Sequence, residues 1–367
     1  MVNASLGVAL VCPYSLSVPG GVQGQVVGLA AALERRGHRP VVFAPVDGIV
    51  PEGVPVTPTG PSVAVPGNGS RAPIARSLAS VVASARRVGT GGFDVVHVHE
   101  PLAPGLPWAL LVGRRVPPGV ATFHRSGVSA GYRILRPLGG RVTARYGVRV
   151  AVSEAARATA AAVVPGPVQL LYNGVDTDVD GVEPWPTTGP TILFLGRHEP
   201  RKGLAVLLAA HDRLAVPRPV LWIAGTGPET ALLRQRFPAT TERCWLGVID
   251  ESEKRRRLAG AHVLAAPSLG GESFGIVLLE AMAQGTVVVA SDIDGYRQAA
   301  SGAARLVPPG DVTALAAALA EVCASTSSET VERLVARGRE RAEACSMTRL
   351  AERYEEAYLA TLDAERR

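Results

Sequence analysis

Residues 263–292 constrain the fold more than any other stretch. A short apolar run, Val263–Ala266, leads into Ser268, Leu269, Gly270, Gly271, Glu272, Ser273, Phe274 and Gly275. An apolar helix carrying Glu280 follows, then a Val-rich run over Thr286–Ala290 and Asp292. Strand, glycine turn, helix and strand in that order describe one step of a parallel sheet with its crossover helix. The turn also carries chemistry. Backbone N–H groups at a helix start have no intrahelical acceptor and carry partial positive charge, and glycines let an anion approach closely, so a diphosphate fits there. The helix is expected to open near Ser273, with Glu272 before it and Glu280 inside it. At helical rise those carboxylates stand roughly 12 Å apart. That is about the length of a sugar, a diphosphate and a ribose, with Glu272 for the sugar and Glu280 for the ribose.

The same alternation recurs along 367 residues, enough for two α/β domains with separate cores. Hydrophobic residues make up 47% of the chain and aromatics only 5%, which suits Ala- and Val-rich helices packed on parallel strands. Cys12, Cys244, Cys323 and Cys345 have no CxxC spacing, so neither zinc nor a disulfide framework is expected. No apolar run is long and charge-free enough to span a membrane, and Met1–Leu10 lacks a basic start, so the expected location is the cytoplasm. A net charge of +6 favours anionic partners such as a sugar nucleotide or an anionic lipid. No nucleic-acid motif accompanies that charge.

In the first half, a strand over 6–11 is followed by Pro19–Gly21 and a helix over 22–36; 41–44 is the next strand. A glycine turn after the first strand is where doubly wound sheets keep ligands. The Pro- and Gly-rich segment 45–69 reads as extended surface chain, and 74–88 as a helix carrying Arg76, Arg86 and Arg87. Further on, Arg125, Arg133, Arg136, Arg141, Arg145 and Arg149 surround Tyr132, Ile134 and Leu135, a second expected anionic contact. Strands over 93–99 and 120–123 put His99, Glu100 and His124 at carboxyl ends, where side chains are placed for chemistry. His97 and His99 fall on one strand face, yet no third ligand is evident, so a metal site is not expected.

In the second half, a strand over 191–195 runs into Gly196, Arg197 and, through Arg201 and Lys202, to Gly203. A departing nucleoside diphosphate develops negative charge on its outer phosphate, and Arg197 with Lys202 supplies fixed cations for it, so no divalent metal or other cofactor is expected. Asp176, Asp178 and Asp180 imitate a calcium loop, but Thr187 stands where the bidentate Glu belongs. Gly225, Thr226 and Gly227 begin a dinucleotide fingerprint that fails at Thr230. A strand over 263–266, another over 303–307, a helix over 312–323 and a last helix over 349–362 complete the chain.

These pieces resemble the GT-B glycosyltransferases of family 4, and most closely the actinobacterial phosphatidyl-inositol mannosyltransferases. The resemblance rests on the Glu272-to-Glu280 spacing, Cys12–Ser15, Pro19–Gln23, Asn68–Ser70, His97–Pro101, Ala121–His124 and Gly196–Gly203. It implies two Rossmann-like doubly wound domains facing a central cleft: residues 1–172 with 350–367, and 173–349. It implies retaining transfer of a hexose, mannose from GDP-mannose, to an inositol lipid or related cyclitol. By the same resemblance, His124 touches the donor sugar, Gly21 lies beside the diphosphate, and Gly271, Ser273, Phe274 and Gly275 hold the donor. Glu251 and Lys254 stand where family members hold the nucleobase, and Tyr14, Gln23, Asn68 and Ser70 serve the acceptor. The helix with Arg76, Arg86 and Arg87 corresponds to one that docks on the inner membrane leaflet. Gly67 replaces a usual aromatic and Pro73 an expected arginine. A soluble aminocyclitol or natural-product acceptor with a UDP-sugar therefore stays open, as do a sugar-nucleotide epimerase and a non-catalytic binding module.

Overall fold

The computed structural model describes residues 5–18, 20–49, 53–67, 70–127, 130–324 and 328–366. The chain forms two compact units, Met1–Gly174 with Met347–Arg367, and Val175–Ser346.

In the first unit the strands are β1 (Gly7–Val11), β2 (Arg39–Ala44), β3 (Val56–Pro58), β4 (Ser62–Gly67), β5 (Ser70–Ala75), β6 (Val95–His99), β7 (Gly119–Phe123), β8 (Tyr146–Ala151) and β9 (Gln169–Leu170). The helices are α1 (Gly21–Arg35), α2 (Leu78–Thr90), α3 (Leu106–Val112), α4 (Ala130–Arg133), α5 (Arg136–Arg145) and α6 (Glu154–Ala161). Seven strands form a parallel sheet in the order β3-β2-β1-β6-β7-β8-β9, so the direction of winding reverses between β1 and β6. Both faces of that sheet are covered, because β1 sends Val8 and Leu10 into one apolar cluster and Ala9 and Val11 into the other. The last helix, α14 (Met347–Arg366), belongs to this unit and buries Tyr354 and Tyr358 on the first cluster.

The second unit contains β10 (Thr191–Leu195), β11 (Val220–Ala224), β12 (Arg243–Gly247), β13 (Val263–Ala266), β14 (Val287–Ser291) and β15 (Arg305–Val307). Its helices are α7 (Leu204–Asp212), α8 (Thr230–Arg236), α9 (Glu251–Gly260), α10 (Ile276–Ala283), α11 (Asp294–Ala300), α12 (Val312–Ala324) and α13 (Glu329–Ala344). The six-stranded parallel sheet runs β12-β11-β10-β13-β14-β15 and reverses between β10 and β13. The fold is α/β, with two doubly wound parallel sheets.

Four expectations need correction. Residues 45–69 are not simply extended surface chain: 56–58 joins the main sheet, and 62–67 pairs antiparallel with 70–75. Ile74 lies in β5 and α2 begins at Leu78, so Arg76 precedes the helix and only Arg86 and Arg87 ride on it. The helix after the glycine turn opens at Ile276, capped by Gly275 in the left-handed region at φ 103, rather than near Ser273. Only the last part of the path from Glu272 to Glu280 is therefore helical, and the spacing calculated from helical rise does not apply. Finally, Arg145 and Arg149 turn inward: Arg145 donates to the Gly113 carbonyl, and buried Arg149 donates to the carbonyls of Pro167, Thr143 and Tyr146. Among the described residues, no helix is long and apolar enough to cross a membrane.

Candidate active site

The second unit gathers its charged residues where its sheet reverses, the position at which open α/β sheets bind ligands. Loop 196–203 leaves β10, loop 267–275 leaves β13, and the two are bonded where the Leu269 N–H donates to the Arg201 carbonyl at 2.7 Å. Gly203 makes the approach possible. At φ 69 a Cβ on it would lie 1.9 Å from the Pro267 carbonyl oxygen. Lys202 Nζ stands 2.7 Å from Glu272 Oε1, and Arg201 Nη1 stands 2.9 Å from the same oxygen. Buried Glu199 bridges Arg201 and Arg197, each at 3.0 Å. Arg197, Glu199, Arg201, Glu272 and Lys202 thus form one chain of alternating charge.

Arg197 reaches Glu272 by way of Glu199 and Arg201. Arg201 is the cation that the sequence reading passed over. Its signal was its place beside Lys202 in a turn closed by Gly203. Ser268 and Tyr296 were also missed: Ser268 Oγ donates to Glu272 Oε1 at 3.3 Å and shares a 2.8 Å bond with the Tyr296 hydroxyl. Burial, and then the charge of Glu272, push the Tyr296 phenol up. Gly275 is needed here too, because a Cβ would meet the Tyr296 ring at 2.6 Å. Gly271 and Ser273 lie in the turn before α10, and Phe274 is buried beneath it. Glu280, on α10, is bound by Lys254 at 2.8 Å, and Lys254 also meets Glu251 at 2.9 Å. Burial acts to lower the Lys254 pKa, but Glu280 and Glu251 outweigh it and leave the ammonium above its usual value. Thr230, which spoils the dinucleotide fingerprint, accepts from the Gly227 N–H and bonds His198 Nδ1 at 2.8 Å.

The first unit has a second cluster at the carboxyl ends of β1, β6 and β7. Glu100 follows β6 in the left-handed region at φ 52. Its Oε1 accepts from the backbone N–H of His124 at 2.5 Å and of Arg125 at 2.6 Å. A non-glycine residue in that region is strained and persists only where its surroundings enforce it. Burial pushes the Glu100 carboxyl up, against those two bonds. Burial alone pushes His124 down to about 3. Its Nε2 lies 2.9 Å from His99 Nδ1. His97 is a core residue, bonded to the Tyr358 hydroxyl at 2.8 Å and to Thr122 Oγ1 at 2.7 Å. Among the described residues no group of His, Cys, Asp or Glu could hold a metal ion.

Tyr14 precedes α1, with a phenol raised first by burial and then by Glu100. Gly21 is the first residue of α1, and the Gln23 amide donates to the carbonyls of Ser15 and Val18, holding the preceding loop. Ser70 opens β5 opposite Gly67. Asn68 lies outside the described residues.

Residues 19–179 match the family described as Glycosyltransferase Family 4, and residues 189–325 match Glycosyl transferases group 1. A phosphatidyl-myo-inositol mannosyltransferase of Mycolicibacterium smegmatis is 41% identical over 85% of this chain and 83% of its own. Sucrose-phosphate synthase from Thermosynechococcus elongatus has the same fold, with a TM-score of 0.75 at 23% identity over 98% of this chain and all of the other. Anabaena HepE, solved with UDP and glucose, superimposes with a TM-score of 0.75 at 17% identity over 97% of this chain and all of its own. The two doubly wound sheets agree with these matches, and the chain belongs to glycosyltransferase family 4, with the GT-B fold.

Proposed function

We propose that this glycosyltransferase is a retaining enzyme that moves mannose from GDP-mannose to a hydroxyl of an inositol lipid. The observation that carries the reading is Glu272, gripped by Lys202 at 2.7 Å and Arg201 at 2.9 Å beside a glycine turn. Lys202 and Arg197 stabilise the outer phosphate as the nucleoside diphosphate departs, with Arg201 next to them. The incoming diphosphate competes with Glu272 for these cations, which frees that carboxylate for the sugar. The Gly271–Gly275 amides hold the phosphates, Glu280 meets the ribose, and Glu251 and Lys254 lie toward the base. His124 meets the sugar, Gly21 lies beside the diphosphate, and Tyr14, Gln23, Asn68 and Ser70 serve the acceptor. No side chain forms a covalent intermediate. The leaving phosphate takes the acceptor proton on the face where the new bond forms, which preserves the anomeric configuration. Three cations supply the charge that a divalent ion would otherwise bring, so the proposed reaction needs no metal.

Arg76, Arg86 and Arg87 are proposed to meet an anionic inner leaflet, each contributing on the order of 1 kcal/mol. Leu78 and Val82, both exposed on α2, add apolar contact beside them. Support for an inositol-lipid acceptor comes from the named mannosyltransferase relative. Lys202→Ala is expected to lose at least tenfold in turnover of GDP-mannose on phosphatidylinositol vesicles; unchanged turnover would defeat the leaving-group role. A second reading, a soluble cyclitol acceptor, is favoured by Pro73, which has no charge for a lipid phosphate and whose carbonyl accepts from the Ser15 N–H. Sedimentation with phosphatidylinositol vesicles separates the two, because the soluble-acceptor enzyme does not pellet.

A further inference from the structure

We infer that Thr230 is a positioning residue for loop 196–203: its hydroxyl pins the buried His198 ring and so sets where Arg197 and Lys202 stand to receive a diphosphate. The inference rests on the diphosphate role proposed above for those two cations. It also gives a function to Gly225, Thr226 and Gly227, the half of a dinucleotide fingerprint that the proposed reaction leaves without a role.

The turn after β11 lies against the loop after β10 along the backbone. The Gly196 N–H donates to the Ala224 carbonyl at 3.2 Å, the His198 N–H to the Thr226 carbonyl at 3.2 Å, and the Glu229 N–H to the His198 carbonyl at 3.0 Å. The two glycines permit that approach. At Gly225, with φ 114, a Cβ would lie 2.0 Å from the Gly196 carbonyl oxygen, and at Gly227 it would lie 2.6 Å from the His198 carbonyl oxygen. These glycines therefore bring chain to chain, where those of a dinucleotide fingerprint bring chain to pyrophosphate.

His198 is the peg between the two segments. Its side chain is buried, with the ring centroid of Phe194 on β10 at 6.0 Å and that of Trp245 on β12 edge-on at 5.6 Å. Thr230 opens α8, and its hydroxyl serves two partners: it accepts from the Gly227 N–H at 2.8 Å and bonds His198 Nδ1 at 2.8 Å. A hydroxyl has one proton and two lone pairs, so either tautomer of His198 keeps that bond. Glycine at this position, as the fingerprint demands, would supply neither contact. The residues next to His198 carry the charge. Arg197 pairs with Glu199 at 3.0 Å, and the Lys202 N–H donates to the Glu199 carbonyl at 2.9 Å. Movement of the His198 ring is thus passed to Arg197 directly and to Lys202 through one turn of chain. Cations fixed before the phosphate arrives need no reorganisation when it binds, so loss of the hydroxyl should be felt in phosphate affinity.

The test is equilibrium titration of the full chain with GDP and with inorganic pyrophosphate, which shares only the phosphates. Thr230→Val keeps the volume and removes the hydroxyl. It should weaken both ligands by the same factor, roughly fivefold, the worth of one net hydrogen bond. Thr230→Ser should bind both within about twofold of wild type, because it restores the hydroxyl. His198→Phe, which fills the space without a nitrogen, should match Thr230→Val, and the double variant should be no weaker than either single one. Unchanged affinities in Thr230→Val, a loss confined to GDP, a serine variant as weak as the valine one, or additive losses in the double variant would each overturn the inference. A merely structural role would lower Tm and leave pyrophosphate binding as it is. Pyrophosphate bound equally by wild type and Lys202→Ala would sink the diphosphate reading, and the inference with it. Weakened binding in Lys202→Ala with wild-type affinity in Thr230→Val would sink the positioning role alone.

Discussion

Buried histidines make the first unit sensitive to acid. His97 is pushed from 6.5 down to about 3, chiefly by burial and secondarily by the charge of His124. A base whose pKa is depressed on folding contributes stability that is fully present above its unfolded value and lost as pH falls toward the folded one. The unfolded chain takes up protons below pH 6.5 that the folded chain refuses, so Tm should drop steadily from pH 7 to pH 4. His97→Gln loses the imidazole and should be less stable at pH 7, with a shallower fall in Tm over that range. A Tm profile parallel to that of the wild type would contradict the assignment. Glycines, acids and bases were legible one by one in the sequence, since each is a chemical type at a spacing. Pairing was not. That Glu199 joins Arg197 to Arg201, or that His99 meets His124, depends on loops and neighbouring strands that bring together residues with no sequence rule linking them.

Loops decide the site at the scale of elements. Gly203 is held in the left-handed region, and its Cα faces the Pro267 carbonyl. Gly203→Ala should therefore destabilise the protein by about 2–4 kcal/mol, since backbone must move as well as accept an unfavourable φ. Urea unfolding measures this, and a change below about 0.5 kcal/mol, the usual range for a neutral surface substitution, would show that the loops tolerate the extra atom. The apolar runs at 191–195 and 263–266 coincide with their strands because buried parallel strands need continuous hydrophobic sequence. Helix starts were less legible. Gly275 in a left-handed conformation delays α10 to Ile276, and the Tyr296 ring leaves no room there for a Cβ. The β4–β5 hairpin was hidden because Pro66 and Gly67 fall in the Pro- and Gly-rich segment that read as extended chain, and Pro73 follows in the second strand. A two-stranded ribbon tolerates them because each strand is an edge.

Charge is distributed unevenly over the whole molecule. Between residues 71 and 149 there are twelve arginines, opposed only by Asp94 and by Glu100, which is buried. Arg86 and Arg87 are exposed, as are Arg114 and Arg115, whereas Arg149 is committed to internal carbonyls. Binding to phosphatidylinositol vesicles should therefore weaken as salt rises, and reversing charge with Arg86→Glu and Arg87→Glu should cut pelleting at least tenfold at low salt. Equal pelleting of that double variant would move the membrane contact elsewhere. Net charge was legible from composition, but which arginines face outward was settled only by folding. The central claim is that the cations after β10 bind the diphosphate of a nucleotide sugar, and equilibrium titration of GDP-mannose into wild type and Lys202→Ala tests it most directly. The account predicts at least tenfold weaker binding by the variant, and equal affinity in the two proteins would contradict it.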